Sequence, residues 1–184
     1  VGGKVGGGVS GGDVSEARGG ELLVGGTAGR GKGEWVRAEL LSLLMGYGRG
    51  EVKIGLGERK RVTFAEFEKR RWLYAAVVKD SEGAIELMDK LVGEMEFRYQ
   101  RFEKTGCADL GTYNQVSHKP LPRVVCIFDE YADFMAEKES RSALEQSIKR
   151  LGAMARAAGI HLIIATQRPE ARVGTPIIRP NLPG

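Results

Sequence analysis

Cysteine, histidine and tryptophan are scarce in this sequence, with two of each among 184 residues. Cys107 and Cys126 are too few for a disulfide scaffold, and no CxxC or Cys/His spacing suggests zinc. His118 and His161 stand in no pattern that points to catalysis or metal binding. Long apolar runs are also missing. Runs such as Val124–Phe128 and Leu162–Ala165 have the length of buried strands, far short of the roughly 20 residues that span a bilayer. Charge is nearly balanced. Lys and Arg number 28 against 24 Asp and Glu, for a net +4 that permits an anionic partner without requiring one. With 42% hydrophobic and 28% charged residues, the composition is that of a soluble globular protein. A chain of this length suits one compact domain whose core needs no disulfide or metal to hold it.

Glycine is abundant. There are 27, and 14 of them fall within Val1–Gly33. Residues 1–20 (VGGKVGGGVSGGDVSEARGG) have almost no apolar periodicity and read as a flexible Gly-rich segment, with Lys4, Asp13, Glu16 and Arg18 as solvated charges. The chain starts at Val1 without a methionine and stops at Gly184 after a proline-rich turn, so a piece of a longer protein is expected.

From residue 21 onward the pattern changes. Glu21–Gly25 (ELLVG) reads as a short buried strand, and Glu34–Met45 has helical spacing. Glu51–Leu56 reads as a second strand weakened by its glycines. Asp80–Lys104 is the clearest helix. Ala84, Met88, Leu91, Met95, Tyr99 and Phe102 recur at steps of three and four, with Asp80 or Ser81 to cap the start and Gly106 after the end. Arg123–Phe128 (RVVCIF) is a continuous apolar run typical of a buried parallel strand, with Cys126 as an inert core thiol. Ser140–Ala158 is another amphipathic helix, stopped by Gly159; Ile160–Ala165 is a further buried strand, and 166–184 is loop-like. Alternation of strand and helix predicts an α/β fold, a parallel sheet with helices on both faces.

Three motifs carry chemistry. The first follows the first strand: Gly26, Thr27, Ala28, Gly29, Arg30, Gly31, Lys32 and Gly33 fit G-x-x-x-x-G-K between a strand and a helix. Such glycines let consecutive backbone N–H groups point at phosphate oxygens, and the helix N-terminus behind them adds partial positive charge. Lys32 would reach the β- and γ-phosphates. The motif normally ends in Ser or Thr, whose hydroxyl holds magnesium; Gly33 offers no oxygen. The second motif is the apolar strand ending in Asp129-Glu130. A carboxylate at that strand tip can face the phosphate loop and hold magnesium through water, and Glu130 can act as general base. The alternative is a pair of acids capping the next helix. The third is Ala165-Thr166-Gln167-Arg168-Pro169, where Gln167 just past a core strand can sense the γ-phosphate or be an ordinary loop amide.

Together the motifs resemble the motor domain of FtsK/SpoIIIE-type DNA translocases, hexameric RecA-like ATPases that pump double-stranded DNA. The resemblance runs from about Glu21 to Gly184. It is carried most specifically by Arg123–Met135 (RVVCIFDEYADFM), Arg150–Pro169 (RLGAMARAAGIHLIIATQRP) and Thr175–Pro183 (TPIIRPNLP). It implies a three-layer RecA-like P-loop fold with a mainly parallel sheet, truncated at its C-terminus, over residues 21–184. It also implies ATP and Mg2+ as cofactors, with Lys32 as the phosphate-loop lysine, Asp129 as the magnesium acid, Glu130 as the base and Gln167 as the sensor. Arg156, in the ARAAG run, resembles the arginine that such motors present to the neighbouring subunit's ATP. Arg168, Arg172 and Arg179 become candidates for contact with the DNA backbone, in loops that line the pore of a homohexameric ring.

The function so implied is ATP-driven movement along duplex DNA in chromosome segregation and cell division. The motor would sit in the cytoplasm, with any membrane anchor in segments outside this chain. Two departures stand out. Gly33 replaces the metal-binding hydroxyl, and Gly55-Leu56-Gly57-Glu58-Arg59-Lys60 stands where the family usually has an apolar strand followed by Asp-Pro-Lys. They keep open a degenerate ATP-binding subunit with impaired hydrolysis; a related conjugation or secretion motor is the other alternative. The basic residues Arg59-Lys60-Arg61 and Lys69-Arg70-Arg71, offset by Glu58, Glu66 and Glu68, read as a solvated face.

Overall fold

A computed structural model describes residues 21–25, 37–38, 40–41, 45–48, 50–59, 64–67 and 72–166. The flexible segment expected over 1–20 lies outside them. The strands are β1 (Glu21–Gly25), β2 (Val52–Glu58), β3 (Arg123–Asp129) and β4 (Ile160–Thr166), and the helices α1 (Ser81–Thr105), α2 (Leu110–Val116) and α3 (Lys138–Met154). Two 3-10 turns, Ala65–Phe67 and Tyr131–Met135, complete the elements. All strand pairs are parallel, in the order β1-β4-β3-β2.

Strand alternation sorts the core into two layers of contact. Val124, Cys126 and Phe128 of β3, with Ile160, Leu162 and Ile164 of β4, pack against α1 and α3. Val125, Ile127, Ile163 and Ala165 point the other way, toward Val52, Ile54 and Leu56 of β2 and toward Leu40, Phe64 and Phe67. Residues 37, 38, 40, 41, 45 and 46 are helical, as the spacing of Glu34–Met45 predicts. The expected sandwich of helix, sheet and helix is therefore present.

Helix α1 begins where its cap chemistry says it should. Asp80 is extended, and its side chain accepts from the Gly83 N–H at 2.7 Å. Gly106 closes the helix in the left-handed region at φ 67°. The expected helix Ser140–Ala158 starts two residues earlier and ends at Met154, with residues 155–159 forming a turn. Gly159 ends that turn at φ 72°, and a Cβ there would lie 2.1 Å from Leu110 Cδ2. The short helix α2 escapes periodicity because LGTYNQV has only Leu110 and Tyr113 buried.

Strand β2 runs two residues further than its glycine-weakened sequence predicts. Those glycines have a packing cause. A Cβ on Gly57 would meet Phe128 Cδ1 at 2.4 Å, and one on Gly55 would meet Cys126 Sγ at 3.2 Å. Glycine lets large β3 side chains spread over β2. The outer edge of β2 is covered as well: Trp72 and Val78 carbonyls accept from Ile54 and Glu58, while Tyr74 and Val78 N–H groups donate to Ile54 and Leu56.

Candidate functional site

Four parallel strands end at one edge of the sheet. Cross-strand register aligns Val24 with Ala165, Ala165 with Asp129, and Asp129 with Glu58. β4 is inserted between β1 and β3, so Asp129 lies two strand spacings, about 10 Å, from the β1 backbone. β1 ends at Gly25, immediately before the glycine-rich motif, and β4 ends at Thr166, immediately before Gln167. Crevices beyond the carboxyl ends of strands are where open α/β sheets bind ligands.

Asp129 is 3% exposed and Glu58 is 1% exposed. They occupy the same face as Val125, Ile127, Ile54 and Leu56, because each is an even number of residues along its strand. Glu58 is buried beside Asp129, although among the basic residues that follow it in sequence it reads as part of a solvated face. Its position at the end of an apolar and glycine strand, like that of Asp129, was the available signal.

Glu130 is the one non-glycine residue with positive φ among the described residues, at φ 56° and ψ 63°. A side chain in the left-handed region costs about 1–2 kcal/mol, and such strain concentrates where geometry serves a function. The following turn holds it there. Phe128 makes edge-to-face contacts with Tyr131 and Phe134, each at 5.4 Å between ring centroids. Three successive carbonyls are then captured from elsewhere: Asp133 by Arg59 Nη1 at 2.6 Å, Phe134 by Ser81 Oγ at 3.3 Å, and Met135 by Arg141 Nε at 3.2 Å. Arg59 is exposed, as expected of a solvated face, and it also makes a specific contact there. Its guanidinium ties the tip of β2 to the turn after Asp129.

Arg156 lies elsewhere. It is exposed in the turn before β4, whereas Asp129 is level with Ala165 near the end of that strand. Five residues at ~3.3 Å each put about 16 Å between Ile160 and Ala165. Arg156 and Asp129 therefore occupy opposite edges of the sheet. His161, near the Arg156 edge, is buried with Nε2 3.3 Å from Arg123 Nη1. Burial, with help from Arg123 and Arg156, pushes its pKa down to about 4. Burial pushes the Cys126 thiol well up, consistent with an inert core residue.

The remaining candidates, Gly26 to Gly33 with Lys32, and Gln167, Arg168, Arg172 and Arg179, lie outside the described residues. Among the described residues no three His, Cys, Asp or Glu side chains gather to hold a metal ion. One buried carboxylate at a strand end still suits magnesium, which keeps several waters and binds through one or two carboxylates plus substrate phosphates.

A family model described as the FtsK/SpoIIIE family matches residues 11–120 and 112–171. These matches cover most of the chain, Asp129, Glu130 and Arg156 included. The chain belongs to the FtsK/SpoIIIE family. The DNA translocase SpoIIIE of Bacillus subtilis (strain 168) is 41% identical to it over 172 residues, spanning 88% of this chain and 22% of that protein. The DNA translocase FtsK of Treponema pallidum (strain Nichols) is 38% identical over 168 residues, spanning 88% and 21%. This FtsK/SpoIIIE chain thus spans about a fifth of the length of these relatives.

Solved structures agree on the architecture. The pCW3 conjugation coupling protein TcpA, in its monomer form with ATPγS, has a TM-score of 0.72 at 28% identity, covering 86% of this chain and 45% of that one. EssC (ATPases 2 and 3) from Geobacillus thermodenitrificans has a TM-score of 0.74 at 21% identity, covering 86% and 30%; at that identity the likeness is one of fold. The RecA-like P-loop fold with a parallel sheet is the one expected for an FtsK/SpoIIIE member. Strand β2 ends in an acid, Glu58. No helix among the described residues is long and apolar enough to cross a membrane.

Proposed function

We propose that residues 21–184 form the partial motor core of an ATP-driven translocase of double-stranded DNA, acting in the cytoplasm in chromosome segregation. The observation that carries this reading is the shared sheet edge. Buried Asp129 ends β3 beside the strained Glu130, on the edge where β1 ends just before the phosphate-loop motif. The names of the relatives, DNA translocases FtsK and SpoIIIE, supply the substrate class.

The roles follow from chemistry. Backbone N–H groups of Gly26–Gly33 bind phosphate oxygens, and Lys32 neutralises charge on the β- and γ-phosphates. Asp129 would hold magnesium through water; when bound, the ion neutralises charge on the phosphates. Glu130 orients and deprotonates the attacking water, and Gln167 senses the γ-phosphate. Arg156, remote from its own Asp129, serves the nucleotide of a second copy in a homohexameric ring. Arg168, Arg172 and Arg179 contact the DNA backbone, which gives sequence-tolerant and salt-sensitive binding.

The test is DNA-stimulated phosphate release by the full-length protein. Lys32→Ala abolishes it under this reading, and equal release by both proteins refutes it. Gly33 favours a second reading, a nucleotide-binding subunit with impaired hydrolysis. Gly33→Ser raises magnesium-dependent turnover under that reading, and leaves it unchanged if the wild type is already competent. TcpA, a conjugation coupling protein, is the structural neighbour behind a third reading, a conjugation or secretion motor. Competition with duplex DNA across salt concentrations separates it, because direct phosphate contacts give a steep salt slope.

A further inference from the structure

The stripe of α1 that faces the core is interrupted by a charge. Leu87, Met88, Leu91, Met95 and Phe102 are apolar, yet Arg98 among them is 1% exposed. A buried guanidinium is tolerated only when it is fully paired, and an apolar side chain of similar volume is often as stable or more so. Core packing alone therefore gives no reason for arginine at this position. Its contacts do. Nε donates to Glu94 Oε1 at 2.8 Å, and Nη1 donates to the Ala158 carbonyl at 2.9 Å. A planar fork can hold both in fixed directions, which a lysine cannot.

Ala158 belongs to the turn that carries Arg156, and every carbonyl from Met154 to Gly159 is engaged. Tyr99 OH donates to Met154 at 2.7 Å, and Leu110 N–H to Ala157 at 2.8 Å. Val124 N–H donates to Gly159 at 2.9 Å. Within the turn, Ile160 N–H donates to Ala155 and Gly159 N–H to Arg156, the pattern that closes a helix on a left-handed glycine. Six consecutive carbonyls are thus held, four of them by residues of α1, α2 and β3. The side chain of Arg156 nonetheless faces solvent.

We infer that Arg98 is the positioning residue for Arg156. It locks the exposed turn so that Arg156 is presented in one direction to an anionic group, the nucleotide phosphate of a second copy of this chain. This inference rests on the proposed ATPase reading. Preorganisation of this kind removes the ordering cost that a loose surface arginine would incur on docking. The contact is heterologous: the Arg156 edge of one copy meets the Asp129 edge of the next.

The test uses full-length protein and four variants, Arg98→Met, Arg156→Ala, Lys32→Ala and Tyr99→Phe, with DNA-stimulated phosphate release and binding of a fluorescent ATP analogue as readouts. Arg98→Met is expected to bind the analogue as the wild type does and to lose about 100-fold in release, the scale of a 1 Å misplacement. Mixed with Lys32→Ala subunits, it regains activity well above either variant alone. In that mixture a site with intact Lys32 can face a neighbour with intact Arg98, at about one interface in four of a randomly mixed head-to-tail ring. Arg156→Ala shows the same complementation. Should Arg98→Met unfold, Tyr99→Phe carries the test, with a smaller loss that Lys32→Ala subunits also restore.

Wild-type release by Arg98→Met, or a loss that mixing restores for Arg156→Ala but not for the Arg98 and Tyr99 variants, overturns the positioning role alone. A wild type that releases no phosphate overturns the underlying reading together with this one.

Discussion

Gly57 and Phe128 interlock across β2 and β3, since a Cβ on Gly57 would stand 2.4 Å from Phe128 Cδ1 and 2.6 Å from Cε1. Gly57 directly precedes Glu58, and Phe128 directly precedes Asp129, so one packing contact supports both buried acids. Gly57→Ala should therefore cost stability despite the better intrinsic strand propensity of alanine. Overpacking of this kind typically costs about 1–3 kcal/mol. Thermal unfolding checks it, and pairing with Phe128→Leu should recover part of the loss. Additive effects of the two substitutions would show that the contact is not the cause.

Gly159 is constrained twice, by φ 72° and by Leu110 Cδ2 at 2.1 Å from its missing Cβ. Gly159→Ala is expected to destabilise by about 2 kcal/mol or more, combining left-handed strain with the clash. Gly106→Ala provides the comparison. It shares the left-handed backbone, at φ 67°, but its Cβ would meet nothing within 4 Å. Denaturant unfolding should rank Gly159→Ala as the costlier of the two.

His161 makes stability depend on pH. Its folded pKa is about 4, against an ordinary value of 6.5, so the folded protein keeps the imidazole neutral where the unfolded chain binds a proton. The contribution is complete above about pH 6.5 and is lost progressively as pH falls toward 4, to a total of about 3 kcal/mol. His161→Gln should flatten the stability profile across that window. A wild-type profile already flat between pH 6.5 and 4 would contradict the burial argument.

Glu130 exchanges stability for geometry. Glu130→Gly should unfold at the same temperature as wild type or higher, because relief of about 1–2 kcal/mol of left-handed strain offsets the roughly 0.4–1 kcal/mol of extra unfolded-chain entropy that glycine brings. Its phosphate release should nevertheless be lost. Glu130→Gln tests the base separately, with nucleotide binding kept and turnover reduced by about 100-fold or more. Release that survives both substitutions would remove Glu130 from the chemistry.

Local patterns made much of this protein legible. The three-and-four spacing from Ala84 to Phe102, with Asp80 before it and Gly106 after it, dictates α1 because caps and periodicity act within a few residues. The apolar runs of β3 and β4 announce strands buried on both faces for the same reason. That Asp129 and Glu130 stand at the end of a buried strand is legible for the same reason.

What depended on the tertiary structure was every relation between residues distant in sequence. Gly55 and Gly57 look like strand breakers until Cys126 and Phe128 lie over them. Glu58 looks like one more surface acid until register sets it beside Asp129, and nothing near Arg59 in sequence shows that its exposed guanidinium reaches the Asp133 carbonyl. Arg98 gives no sign of its partner 60 residues away. Propensity and periodicity are short-range and survive in any context. Burial, strand register and carbonyl capture exist only once the chain has chosen which elements lie side by side.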